Sequence, residues 1–118
     1  MGLVLWIDQN AFVTDLLERV YKKKELPFYT LNSAEDFTYL VDDLKPEVIV
    51  LDSETAVRYQ EALEKQYQAS AALSEVPVIY LGNKDNLGFV PKLLGEIQRP
   101  FNPFDVPTQI EAMYKRLT

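Results

Sequence analysis

The chain has 118 residues, 47% of them hydrophobic and 25% charged, which is the composition of one globular domain and excludes disorder. Its formal net charge is −6, a sign that repels phosphate backbones and argues against a direct nucleic-acid role. There is no Cys and no His, so disulfides, thiolate nucleophiles, Cys-ligated metals and imidazole bases are all out.

In chain order, Leu3–Ile7 reads as a buried strand that ends in Asp8. Asn10 can cap a helix whose apolar stripe is Val13, Leu16, Leu17, Val20 and Tyr21. The basic run Lys22–Lys24 suits the C-terminal end of that helix. Pro27 opens a second strand, 28–31. Ser33 and Asp36 form an S-x-x-D capping signal for a helix with the stripe Phe37, Leu40, Val41 and Leu44, stopped by Pro46. Val48-Ile49-Val50-Leu51-Asp52 is a third strand, apolar on both faces and therefore central to a parallel sheet.

From Thr55 to about Leu73 no Gly or Pro intervenes, which predicts one long helix with Ala56, Leu63 and Tyr67 buried and Arg58, Glu61, Glu64 and Lys65 wet. Residues 76–81 form a fourth strand, 83–94 a fourth helix weakened by Gly88 and Pro91, and 96–98 a short fifth strand. Pro107 opens a final helix that buries Ile110, Met113, Tyr114 and Leu117. Five strands alternating with helices predict an α/β fold, a doubly wound (βα)5 parallel sheet of flavodoxin-like order 2-1-3-4-5. In that order Asp8 and Asp52 meet at the carboxyl edge of the sheet, where ligands bind in open α/β folds. Asp52 alone has a plainer use, as the N-cap of the next helix.

Ile7-Asp8-Gln9-Asn10, Leu51-Asp52, Val78–Gly82 and Arg99-Pro100-Phe101, in this order and spacing, resemble the receiver domains of two-component response regulators (CheY-like) over the whole of 1–118. The resemblance implies a non-enzymatic cytoplasmic signalling module, of the kind that stands at the N-terminus of longer regulators, with Asp52 in the phosphoacceptor position. It also implies departures. Gln9 stands where a second metal-binding acid is usual, and Glu54 is two residues past the acceptor, where a backbone carbonyl meets the ion. Gly82 replaces a hydroxyl residue, Glu96 a switching aromatic, and Arg99 a Lys whose bond to Pro is usually cis. Mg²⁺, which favours hard anionic oxygens, is then expected to bind weakly or not at all, with Asp8 and Asp52 its weak candidates.

The reading that follows is a degenerate or pseudo-receiver, without a cofactor, that contacts protein partners or an attached output domain independently of phosphorylation. Its alternative is a working phosphoacceptor, modified at Asp52 by a histidine kinase through a weak Mg²⁺ site. A flavodoxin-type cofactor binder is disfavoured, because Gln9–Val13 supplies no phosphate-cradling loop. An aspartate-nucleophile hydrolase is disfavoured because Asn10, not an acid, follows Asp8 by two residues. Arg99 is expected to pair with Asp52 or Asp8. The partner face is expected at the fifth strand and last helix, with Phe89, Phe101 and Phe104 exposed on it and a second copy of the chain as one occupant. No segment has the length or apolarity of a membrane span.

Overall fold

The computed structural model describes residues 2–82 and 87–116. Its elements are β1 (Val4–Ile7), α1 (Ala11–Lys23), β2 (Phe28–Leu31), α2 (Thr38–Leu44), β3 (Val48–Asp52), α3 (Ser53–Arg58), α4 (Gln60–Ala69), α5 (Ala71–Glu75), β4 (Val78–Leu81), β5 (Leu93–Ile97), a short 3₁₀ turn (Pro103–Asp105) and α6 (Val106–Lys115). The strands form one parallel sheet in the order β2-β1-β3-β4-β5, as the alternation of elements predicts.

Successive strand residues face opposite sides, so the sheet sorts its apolar residues into two cores. Leu5, Ile7, Ile49, Leu51, Val78 and Tyr80 pack with residues of α2 to α5. Val4, Trp6, Val48, Val50, Ile79 and Leu81 pack on the other side with α1 and α6. Covering both faces is why β1, β3 and β4 are buried at every position.

Three stretches differ from the sequence expectation. The Ser33–Asp36 signal does not cap α2. Ser33 Oγ accepts from Glu35 N–H within the loop (3.1 Å), and α2 starts at Thr38 after an uncapped Phe37. The Phe37 N–H donates to Gln66 Oε1 of α4 (2.8 Å), while Gln66 Nε2 donates to the Ala34 and Glu35 carbonyls, so a tertiary clamp replaces the local cap.

The expected long helix is three helices, broken at Tyr59 and Ser70, and Ser70 Oγ caps α5 by accepting from Leu73 N–H (3.1 Å). A continuous helix, at roughly 100° per residue, would carry Leu73 some 100° off the face shared by Ala56, Leu63 and Tyr67. The break at Ser70 returns Leu73 to the core, where it is fully buried.

Between β4 and β5, the described residues 87–92 form a turn and no helix; 83–86 of the expected fourth helix lie outside the described residues, as does Leu117 of the last helix. β5 starts three residues earlier than expected. A register shift pairs Val78 with Leu93 and Ile79 with Gly95, leaving Leu94 as the extra bulge residue. A β-carbon on Gly95 would stand 2.7 Å from Met113 Cε, so the absence of a side chain there is what lets α6 approach β5. Phe89, Phe101 and Phe104 do not share a face, contrary to expectation. Phe89 is half-buried edge-on against Tyr67 on the α2–α5 side, and Phe101 is half-buried against Trp6 on the α1–α6 side. Only Phe104 is well exposed, at 61%.

Candidate functional site

β1 and β3 are hydrogen-bonded neighbours in register, Ile7 opposite Leu51, so the chain delivers Asp8 and Asp52 side by side to the carboxyl rim. Both are 1% exposed. A buried carboxylate needs donors, and here each of the four oxygens has one. Asp8 Oδ1 accepts from Asn10 N–H (2.9 Å) and Oδ2 from the Trp6 indole N–H (3.4 Å). Asp52 Oδ2 accepts from both the Thr55 N–H (3.0 Å) and the Thr55 hydroxyl (2.8 Å). Asp52 Oδ1 is met by Nη2 of Arg99 in a direct ion pair.

Asp52 therefore has two structural uses. It is the N-cap of α3 through Thr55, and it is the carboxylate that Arg99 pairs with. Arg99 reaches it from the segment after β5, its bond to Pro100 is cis as the resemblance implies, and its side chain stays 39% exposed. Its Nη1 also donates to Ser53 Oγ (3.3 Å), so the planar fork spans two consecutive residues.

Gly82 sits at φ +103°, in the region that favours glycine, and a β-carbon there would stand 2.6 Å from Ser53 Oγ and 3.2 Å from Arg99 Nη1. The space that a side chain at 82 would enter is thus taken by the Ser53 hydroxyl and the Arg99 guanidinium. Gln9 does not reach the carboxylates through its side chain by any contact in the structure; its N–H donates to Thr55 Oγ1 (2.8 Å), and its Oε1 accepts from Arg58 Nη1 (3.4 Å). Glu54 is exposed in the first turn of α3, and Glu96 is half-buried on β5 opposite Tyr80. Neither joins the site. Among the described residues, no cluster of three His, Cys, Asp or Glu side chains is placed to hold a metal ion.

Thr55, Ser53 and Arg58 were not singled out from the sequence as site residues. Thr55 had a usable signal, since a hydroxyl residue three positions after an N-cap Asp is well placed to bond back to it. Ser53 and Arg58 had none, because their partners are 46 and 49 residues away in the chain.

No protein-family model matches the chain, and no curated protein matches it. Solved structures do. A response regulator from Desulfuromonas acetoxidans superimposes with a TM-score of 0.77 over 100% of both chains at 12% identity. A chemotaxis response regulator of Vibrio cholerae gives 0.74 over 96% of this chain and 98% of its own, at 16% identity. A response regulator receiver modulated diguanylate cyclase from Pelobacter carbinolicus gives 0.70, covering 98% and 94%, at 21% identity. The chain has the receiver-domain fold. In that fold Asp52 closes β3 and Arg99 follows the end of β5. No helix among the described residues is long and apolar enough to cross a membrane.

Proposed function

We propose that this chain is a degenerate receiver domain of a two-component-type signalling or transcription-regulatory protein, and that it works by binding protein partners without phosphorylation of Asp52. The observation that carries this reading is the closure of Asp52: Thr55 holds one carboxylate oxygen and Arg99 the other. Phosphorylation of a carboxylate needs a free oxygen as nucleophile and a cation to offset the incoming charge. Here Thr55 takes both lone pairs of Asp52 Oδ2, Oδ1 accepts from Arg99, and among the described residues the cation paired with the carboxylate is that guanidinium.

The same residues do not fit Mg²⁺, which demands near-octahedral hard oxygens at short range. The four oxygens of Asp8 and Asp52 already have protein donors, and Gln9 brings an amide that faces Arg58. The module is read as non-enzymatic, free of cofactor and cytoplasmic. The receiver in the Pelobacter carbinolicus structure belongs to a diguanylate cyclase, which supports an attached output domain as one kind of partner here. Incubation with Mg²⁺ and a small acyl phosphate, followed by intact-mass spectrometry, is expected to show no phosphoryl adduct. A stoichiometric adduct that disappears in Asp52→Ala would overturn the reading and establish a working phosphoacceptor.

A further inference from the structure

Among the described residues β2 pairs only with β1, so it is an edge of the sheet, and its Tyr29 is 42% exposed. Two bonds fix which way its backbone faces. The Val4 N–H donates to the Pro27 carbonyl (3.3 Å) and the Asp8 N–H to the Leu31 carbonyl (2.9 Å). Backbone groups alternate sides along a strand, so Pro27, Tyr29 and Leu31 turn theirs toward β1, while Phe28 and Thr30 turn theirs outward. Among the described residues no hydrogen bond reaches the N–H or C=O of Phe28 or Thr30.

Sheet edges are normally guarded by a bulge, a charge or a proline. The opposite edge, β5, has the bulge at Leu94 and the half-buried carboxylate of Glu96. β2 has no such guard. Leu26–Ala34 contains no charged residue, and the missing N–H of Pro27 belongs to the inward set, where it blocks nothing outside. The Thr30 hydroxyl donates to Glu18 of α1, which leaves the Thr30 backbone free.

An open edge accepts another strand, and the register here says which. Two outward residues flank one inward residue, so a twofold axis through Tyr29 sets Phe28 of each copy opposite Thr30 of the other. Opposed residues of that kind exchange both N–H···O=C bonds, which satisfies every outward group of the strand in both copies. Tyr29 then meets Tyr29 of the second copy in the closer, non-hydrogen-bonded kind of pair. No like charges face each other across the axis, as pairing of two chains of net charge −6 requires. The pairing ends where the next outward N–H, that of Leu26, already donates to the Tyr21 carbonyl (3.0 Å).

We propose that the chain forms a twofold dimer by antiparallel pairing of β2 with β2 of a second copy, which joins the two five-stranded sheets into one. The dimer gives the interaction module one partner and needs nothing of Asp52. So short a seam makes it weak, populated at about 0.1 mM and above.

Sedimentation of the whole chain from about 10 µM to about 1 mM should show monomer passing to dimer. Over that range hydrogen exchange should slow at the Phe28 and Thr30 amides and change little at Tyr29 and Leu31, which β1 already holds. Tyr29→Lys and Tyr29→Glu should each weaken the dimer by about tenfold or more, because each sets like charges directly opposite across the axis. An equimolar mixture of the two, in which opposite charges meet, should dimerise about fivefold or more tightly than either alone. A chain still monomeric at about 1 mM overturns the proposal. So does a dimer in which the Phe28 and Thr30 amides exchange as in the monomer, or one that both Tyr29 variants retain. A mixture no tighter than its components overturns the axis through Tyr29. Should either variant unfold, exchange at Phe28 and Thr30 in the unaltered chain decides alone.

Discussion

The Asp52–Arg99 pair should be worth about 2 kcal/mol, less than its burial alone implies. Stripping one partner from a buried ion pair commonly costs about 3–5 kcal/mol, because a charge is left uncompensated in a poor solvent. Two features of this site reduce that cost. Asp52 keeps both Thr55 bonds when the guanidinium is removed, and the 39% exposure of Arg99 means water can follow it out. Between the two residues one charge-assisted hydrogen bond is lost, about 1.5–3 kcal/mol, and removing the guanidinium also gives up its longer bond to Ser53 Oγ. Arg99→Met keeps most of the apolar stem and removes the charge. Asp52→Asn keeps a residue that caps helices as well as Asp does.

A double-mutant cycle isolates the pair. Each single change should destabilise by about 2 kcal/mol, equivalent to a fall in Tm of roughly 6–10 °C for a chain of this length, and the coupling should be about 1.5–2 kcal/mol. Urea unfolding followed by the fluorescence of Trp6, which is fully buried, reads all four proteins. If the two changes add to within about 0.5 kcal/mol, the pair contributes nothing to folding and the argument that Arg99 seals Asp52 loses its energetic basis.

Gly82→Ala should destabilise by about 2 kcal/mol or more, since a side chain at φ +103° is strained and its β-carbon would press on Ser53 Oγ. Pairing it with Ser53→Ala should recover the steric share only, and a thermal melt of Gly82→Ala matching wild type would refute both causes. Tyr21→Phe should be neutral or stabilising by up to about 1 kcal/mol: the Tyr21 hydroxyl is buried with no partner among the described residues, its pKa is pushed well above the ordinary range by burial, and its ring stacks on Phe28 at 4.0 Å with or without the oxygen. A loss of more than about 1 kcal/mol on chemical denaturation would mean that the hydroxyl is satisfied after all.

Where an element is decided by its own residues, the sequence was enough. Asn10 caps α1, Val48–Asp52 is buried end to end, and the order of five apolar runs fixes a doubly wound sheet, because no other packing covers both faces of such strands. Where an element is decided by something distant, it was not. Nothing near Ser33 reveals that Gln66 will take over the loop before α2. Nothing in 55–75 apart from Ser70 reveals a break, and serine in a helix interior is only mildly disfavoured. Gly88 and Pro91 read locally as obstacles to structure, and Gly95 carries no local signal at all. In the fold, the glycine is the space into which Met113 fits, which only the packing of α6 on β5 can show.

The site divides along the same line, and the division bears on what the substitutions mean. Asp8, Asp52 and Arg99 were legible because strand order alone brings strand ends together. Gly82 was legible only as an absence, a missing hydroxyl. The structure turns that absence into an arrangement: Ser53 Oγ occupies the room that a residue at 82 would need, and it also accepts from the free arm of Arg99. Gly82, Ser53 and Arg99 therefore depend on one another. Lys in place of Arg99 would have one ammonium to give and could not span Asp52 and Ser53 as the fork does. A side chain at 82 would push Ser53 aside and free that arm. Restoring a hydroxyl residue at 82 or Lys at 99 alone should thus damage this arrangement, as expected of three residues fitted to each other.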